Sequence, residues 1–599
     1  MKLFNSMDYV SVGIYIFVFI MIGWWFTRLK MDSDTFFSSS KQLPGWLAGI
    51  SYFMSGYSAN IFTAGVAAYV MVGIAPLYSA ISSTIAGALF AYIWAAKWWH
   101  NSGTDSVPEY FNKIYGKIAH KFLLGSNLPA LILGDAIRFY ISGILVATVT
   151  GMPFFMSLMI TSVLLFAYLV SGGLWGSIIT DTVQCFVLFL LLIMMLVLSL
   201  AKIGGLDALI AGFPEGHTMA FPGGGFSFFQ GATAAESWCI SSFVVGILLI
   251  GPMNDSTIWM CVQRYTSSKN IKETRKVPLY YVGLTIPMLI MIAIPAIAAR
   301  IFIPEIATSW TSAEMAYITA AKILLPHGIL ALLITGILSA NLSTLSSNAV
   351  IYSQTISNDI YRSYLNPTAD SKKMLVVGRI IMGSCIVFCM ALALLVPKVG
   401  GILWSNMLLG SIVAPAMGAP VFISLFYKKT PGWGVVVSCV AGMITGTILN
   451  FACKLGFTDM EIAFWIRGVV PFMVVLLGML ITGVLFPPTG EKKKEIDKMS
   501  YCMKYGADAV YKEGEVSPQQ ECKKEILPPS FFPVNAMVGV PLIIFGIQTT
   551  FSVQMDTDFG SIIYITGMLL SAALLVFGIS LIRSNQIKKR EYFKSTGHY

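Results

Sequence analysis

Apolar runs of about 17–25 residues, each long enough to cross the roughly 30 Å hydrocarbon core of a bilayer as a helix, recur along nearly the whole chain. About fifteen are expected: 9–28, 45–72, 76–97, 123–149, 153–171, 177–203, 235–262, 277–301, 328–358, 373–397, 400–427, 432–452, 464–486, 534–555 and 561–583. In lipid every backbone N–H and C=O must be satisfied internally, so runs of this length demand helices. The class is an all-α polytopic membrane protein. The charged fraction agrees: 11% Asp, Glu, Lys and Arg, against roughly 25% in a soluble domain.

Cytoplasmic loops retain Lys and Arg, and alternate loops here are basic. Arg28, Lys30 and Lys41 are followed by Lys97, Lys113, Lys117 and Lys121, then by Arg264, Lys269, Lys272, Arg275 and Lys276. Arg362, Lys372, Lys373, Lys428 and Lys429 continue the pattern, as do Lys492–Lys494 and the tail Arg583, Lys588, Lys589 and Arg590. The loops 204–233 and 556–560 are poor in basic residues. An odd span count with a cytoplasmic C-terminus places the N-terminus outside, and the plasma membrane is the expected location. The net charge of +10 is then mostly a topological signal with some attraction to anionic membrane lipid, and no nucleic-acid partner is expected. The first apolar run is too long for a signal-peptide core and lacks a small-residue cleavage site. The nine cysteines form no CxxC pair and are expected to act as small hydrophobes. Residues 487–533 form the one sizeable polar insertion, expected to be a solvated cytoplasmic linker.

Within the span 328–358, Gly336-Ile-Leu-Ser-Ala-Asn-Leu-Ser-Thr-Leu-Ser-Ser-Asn348 carries hydroxyls at Ser339, Ser343, Thr344, Ser346 and Ser347. Ser343, Ser346 and Ser347 share one helix face, with Thr344 beside them. An uncharged oxygen-rich patch without Cys or His suits a small hard cation such as Na⁺. A hydroxyl-rich helix–helix contact is the competing reading.

Charges inside apolar spans require a partner or a function. Asp181 fits either an interfacial carboxylate at a helix N-terminus or a cation ligand facing the hydroxyl-rich helix. Asp135 and Arg138, three residues apart, either neutralise one another or leave Arg138 to meet an anionic solute. Asp255 follows Gly251-Pro252-Met-Asn254, which interrupts an apolar helix, and Met54-Ser-Gly-Tyr-Ser-Ala-Asn60 interrupts the second span. Breaks at membrane depth free carbonyls and dipole ends where they line a cavity. These two breaks occupy matching places in two five-span halves, 45–203 and 234–430, the arrangement an inverted-repeat transporter requires.

In sequence order, Ser106-Val-Pro-Glu-Tyr110 with Tyr115-Gly116, Gly172-Gly173 with Thr180-Asp-Thr-Val-Gln184, Val262-Gln-Arg-Tyr265 with Ser268-Lys-Asn270, and Leu338–Ser347 running to Asn358-Asp-Ile-Tyr361 resemble the sodium/solute symporter family. That family includes sodium-coupled transporters of sugars, proline, iodide, sialic acid and vitamins. The resemblance implies a ten-helix inverted-repeat core (five plus five) after one extra N-terminal helix and loop, 1–44. It leaves an extracellular loop at 204–233, peripheral helices at 431–486, and helices with a basic tail at 534–599, about four C-terminal helices in all. It implies a first Na⁺ site from the hydroxyls of Ser343 and Thr344 with the carbonyls of Ala340, Met54 and Tyr57. A second Na⁺ would use Asp181, Ser346 and Ser347.

Sugar-carrying members use an asparagine, a carboxylate and a lysine that this chain lacks at the matching positions: Gly56 replaces the asparagine, and the spans 76–97 and 277–301 supply neither charge. Polar and aromatic groups still available to a solute are Ser55, Ser58, Asn60, Asp255 and Trp259, with Arg138 for a carboxylate. The expectation is Na⁺-coupled symport of a small organic solute by alternating access, with one or two Na⁺ and no organic cofactor. A non-transporting sensor or channel of the same fold, and an H⁺-coupled symporter using Asp181, are the alternatives. His100, His120, His217, His327 and His598 form no cluster that an enzyme would need. Solute identity and oligomeric state are not determined at this level.

Overall fold

The computed structural model describes residues 4–27, 43–214, 244–368, 370–399, 401–452 and 462–505, with a few helical residues between 572 and 579. The expected spans at 534–555 and 561–583, and most of the loop 204–233, lie outside the described residues. Among the described residues there is no strand, only one isolated bridge between Leu43 and Ser268.

The chain begins with α1 (Ser6–Thr27). The second expected span is broken, as the run of small and polar residues at its centre implies. Helix α2 (Gly45–Gly56) ends on Tyr57, a π turn covers Ile61–Gly65, and α3 (Val66–Val72) completes the crossing. Helix α4 (Ala75–Asn101) follows, then α5 (Val107–Thr150) and α6 (Phe154–Ile203). Ser106 caps α5 by accepting the Glu109 N–H at 3.2 Å, and Gly116, at φ 80°, turns the helix sharply before it enters the apolar span. Expected spans 153–171 and 177–203 are joined without a loop into the 50 residues of α6. A straight helix of that length would measure about 75 Å, more than twice the hydrocarbon thickness.

In the second half, α7 (Gly251–Thr257) and α8 (Trp259–Thr266) are separated at Ile258, which is extended (ψ 126°). The break therefore lies seven residues beyond Gly251-Pro252, where the sequence places it. Pro252 sits in the first turn of α7, where its missing N–H is harmless. Gly251 serves packing instead: a Cβ there would overlap the Ser83 carbonyl, and one at Gly87 would overlap the Asp255 carboxylate and the Gly251 carbonyl. Helices α4 and α7 thus cross backbone to backbone. Gly251→Ala is expected to destabilise the protein by about 3 kcal/mol or more, the upper end of overpacking costs, because the obstruction is main chain. Gly56→Ala, whose new Cβ meets nothing nearer than 4.0 Å, should be close to neutral. Thermal unfolding of both in detergent compares them directly.

Helix α9 (Ile271–Phe302) is capped by Asn270, and α10 (Ile329–Thr355) starts at Gly328, whose φ of 83° requires glycine. Helices α11 (Ser371–Ala393), α12 (Ala414–Phe426), α13 (Gly432–Phe451) and α14 (Phe464–Leu485) complete the membrane set. The expected linker contains α15 (Gly490–Tyr505), docked on the end of α4 through buried Ile496 and Met503.

Helices α2, α4, α7, α8 and α9 pack on one another as one group and α5, α6, α10 and α11 as another, with α6 also packed closely on α2 and α9. The start of α2 is tied to its own group: the Gly45 N–H donates to the Glu273 carboxylate at 2.7 Å, and Leu43 pairs with the strand-like turn at Ser267–Lys269. Helix α1 lies against the second group, where Asp8, fully buried, accepts from Gly328 N at 2.6 Å and contacts His327 Nδ1 at 2.6 Å.

Candidate functional site at the seam of the two helix groups

Helix α10 is buried on all sides along almost its entire length. A helix apolar enough for lipid but surrounded by protein has only other helices to satisfy its hydroxyls. Ser343, Thr344, Ser346 and Ser347 are each at most 1% exposed, and they meet α2 and α6.

The centre of the site is Asp181 of α6, fully buried. Its Oδ1 accepts from Ser343 Oγ at 2.5 Å and its Oδ2 from Ser51 Oγ at 2.6 Å. Opposite it lies Arg264 of α8, also fully buried. Arg264 Nη2 donates to Ser51 Oγ at 3.0 Å, Ser55 Oγ at 3.0 Å and Ser347 Oγ at 2.9 Å, and Nη1 donates to Gln263 Oε1 at 2.9 Å. The Ser55 and Ser347 hydroxyls are also 2.8 Å apart. Thr344 Oγ1 donates to the Ser55 carbonyl at 2.8 Å. Ser346 donates to the Ser343 carbonyl at 2.8 Å and its hydroxyl lies 3.1 Å from that of Ser177. One carboxylate and one guanidinium thus share a ring of hydroxyls, with Ser51 bridging them. Two ions held this far from water require such solvation, because an unpaired buried charge costs several kcal/mol.

This arrangement differs from the two separate ion shells expected. Ser343 turns to Asp181 rather than toward the carbonyls of Met54 and Tyr57, and Thr344 reaches the carbonyl of Ser55. Ala340 accepts from Thr344 at a longer 3.3 Å, within its own helix. Met54 and Tyr57 are buried at the end of α2, where the Tyr57 N–H closes the helix on the Phe53 carbonyl at 2.9 Å. Residues assigned to first and second sites form one network.

The expected solute residues are dispersed. Ser55 belongs to the network just described. Ser58 is buried at the α2 break, and Asn60 Oδ1 accepts from Asn406 Nδ2 at 2.8 Å. Asp255 accepts from Tyr52 Oη at 2.5 Å and its carbonyl from Tyr265 Oη at 3.1 Å, so it fastens α7 to α2 and α8. Trp259 is buried at the start of α8, and its indole N–H has no hydrogen-bond partner among the described residues. Arg138 bonds Asp135 at 2.8 Å, and Asp135 also accepts from Asn348 Nδ2 at 2.7 Å and from Tyr352 Oη. The mutual-neutralisation reading of that pair describes the geometry.

Sequence reasoning missed Arg264 and Ser51. Arg264 was expected in a basic loop because it follows a long apolar run. The signal that could have found it is the break itself: once α8 restarts at Trp259, Arg264 falls in its second turn, inside the membrane set.

A model of the sodium:solute symporter family matches residues 36–482. A sodium/glucose cotransporter of Vibrio parahaemolyticus is 25% identical over 482 residues, covering 75% of this chain and 86% of its own length. An osmoregulated proline transporter of Bacillus subtilis is 23% identical, covering 73% of this chain and 87% of its own. Among solved structures, a substrate-bound, outward-open Na⁺-coupled sialic acid symporter superposes with a TM-score of 0.68 at 20% identity, over 81% of this chain and 99% of that one. At that identity the likeness defines the fold: this is the same transporter architecture.

Proposed function

The chain belongs to the sodium:solute symporter family, and from that membership we propose that it couples inward Na⁺ flow to uptake of a small organic solute by alternating access. The observation that carries the reading is the hydroxyl–carboxylate network at the seam, where Thr344, Ser347 and Asp181 of one helix group, with Ser343 bonded to Asp181, meet Ser51 and Ser55 of the other. Any rocking of one group against the other must break or remake those bonds. Na⁺ favours such oxygens, so its binding joins the groups and its release frees them.

Arg264 is the part of this reading that the site itself contributes. Its guanidinium occupies the same hydroxyls that a Na⁺ near Asp181 would need. We assign it the role of a resident cation that balances Asp181 when sodium is absent and withdraws when sodium arrives. The carbonyls of Met54, Tyr57 and Ala340 then complete the ion's shell with Ser343 and Thr344, and Asp181, Ser346 and Ser347 serve a second ion. Each charge carried inward contributes about 2.3 kcal/mol per 100 mV of membrane potential.

For the solute, relatives named for glucose, proline and sialic acid span uncharged, zwitterionic and anionic molecules. Arg138 is neutralised by Asp135, which disfavours a solute that relies on it for a carboxylate. The Trp259 N–H, without a hydrogen-bond partner among the described residues, is available as a donor beside the α7–α8 break.

The test is melting of the purified protein in NaCl against choline chloride at equal ionic strength, followed by a solute screen at saturating Na⁺. A Na⁺-specific rise in melting temperature is expected, reaching about 2 °C at 100-fold saturation. By linkage, a transported solute must tighten Na⁺ by the same factor that Na⁺ tightens the solute. Identical melting in the two salts would remove the sodium reading, and solute-driven proton uptake in its place would establish proton coupling.

A further inference from the structure

On the face that carries the basic loops, far along the chain from the seam, α15 closes a cavity of about 580 Å³ against the ends of α4 and α12 and the start of α9. Five cationic side chains line it, Lys97, Arg275, Lys428, Lys429 and Lys504, against one carboxylate, Asp497. No loop topology requires cations from four separate elements to converge on one concavity. Moreover, Lys97, Arg275, Lys428 and Lys429 have no carboxylate partner among the described residues. Among the described residues Lys428 donates only to the Leu425 carbonyl, at 3.2 Å, and burial pulls its ammonium down to about 8. Arg275 stands over the Tyr92 ring at 5.9 Å, and its buried Nε has no hydrogen-bond partner among the described residues. Five cations against one carboxylate repel one another and leave the cavity net positive, which favours an anion there.

The rim identifies the kind of anion. Trp94 and Phe426, which line the cavity, are 44% and 58% exposed and lie at the ends of apolar spans. Exposed apolar side chains continue from it along α4, at Ile93, Leu89 and Ile85. Exposed tryptophan at the end of an apolar helix marks the headgroup level of a bilayer, and basic pockets between membrane helices on the cytoplasmic side bind anionic headgroups. We propose that this cavity binds the phosphate headgroup of an anionic phospholipid of the cytoplasmic leaflet, held by Lys97, Arg275, Lys428 and Lys429, with its acyl chains leaving past Trp94 and Phe426. The lipid then bridges α15 to α4, α9 and α12, adding to the Asn101–Met503 bond that the docked helix makes to the end of α4.

Native mass spectrometry and melting of the full chain in neutral detergent test this, using short-chain phosphatidylglycerol, phosphatidylcholine of the same chain length, and inorganic phosphate. Phosphatidylglycerol should be retained and raise the melting temperature, with neither of the others doing so. Each cation is worth about fivefold in affinity, so Arg275→Gln/Lys428→Gln should weaken retention about 25-fold. Lys117→Gln/Lys269→Gln, on exposed positions of the same face outside the cavity, should leave it unchanged. If the first pair does not fold, Lys97→Gln/Lys429→Gln carries the same expectation. Equal retention of the two lipids, or retention unaltered by the pocket variants, overturns the proposal. Stabilisation by inorganic phosphate as strong as by phosphatidylglycerol overturns it in favour of a soluble anion. The readout is binding, so it stands apart from any failure of sodium coupling.

Discussion

Replacing Arg264 with methionine is expected to cost the sodium-free protein about 3–5 kcal/mol and, at the same time, to make Na⁺ bind at least about tenfold more tightly. The cost follows from breaking a buried charge pair on one side. Methionine keeps the volume of the stem, but Asp181 is left with the Ser51 and Ser343 hydroxyls and no nearby guanidinium. The gain follows from competition, since the hydroxyls of Ser51, Ser55 and Ser347 no longer solvate a resident cation. A tenfold change corresponds to about 1.4 kcal/mol, well within what three such bonds supply. Melting curves across a NaCl titration separate the two effects, because the first lowers the baseline and the second shifts the midpoint of the salt dependence. Weaker Na⁺ binding in the variant would mean that Arg264 supports the ion site instead of competing for it. An unshifted midpoint would place the ion elsewhere.

Ser343→Ala/Thr344→Ala is expected to raise the Na⁺ concentration for half-maximal stabilisation by about 100-fold or more. A hydrogen bond or ligand contact to a charged group is worth about 1.5–3 kcal/mol, and two are removed. Among the described residues the pair also carries the one hydroxyl bond from α10 to the main chain at the end of α2, Thr344 to the Ser55 carbonyl, so solute uptake should fall with sodium affinity rather than independently of it. Ser346→Ala/Ser347→Ala distinguishes one ion from two. With two ions bound, the cooperativity of the salt dependence should drop to a single-site curve while stabilisation by the first ion persists. A double alanine variant at Ser343 and Thr344 that keeps wild-type sodium dependence would sink the assignment.

Much of this organisation is legible in the chain because membrane helices obey a narrow rule. Length and apolarity locate the crossings, and the small polar run from Ser55 to Asn60 marks a break that no continuous helix would choose. The second break was legible in kind and misplaced in position. Gly251 and Pro252 resemble an interruption, yet glycine here permits a helix crossing and proline occupies a first turn, two uses that sequence alone does not separate from a break. Arg264 was illegible for a related reason. Basic residues after an apolar run are normally at the surface, and only the restart of the helix at Trp259 carries this one inward. The pairing of Asp181 with Ser51 depends on residues 130 apart in sequence, and the convergence of α15 on α4 on residues about 400 apart. Neither has a local signal.

The contact between Asp8 and the start of α10 sets a schedule for synthesis. Asp8 emerges among the first residues, yet the His327 ring and Gly328 N–H that meet its carboxylate lie about 320 positions later. At about 5–20 residues per second a ribosome needs roughly 15–65 s to reach them. Through that interval the first helix holds a carboxylate with only the Asn5 N–H, at 3.0 Å in the finished fold, close by in sequence to receive it. Full pairing of the Asp8 carboxylate therefore has to wait until the start of α10 has been made.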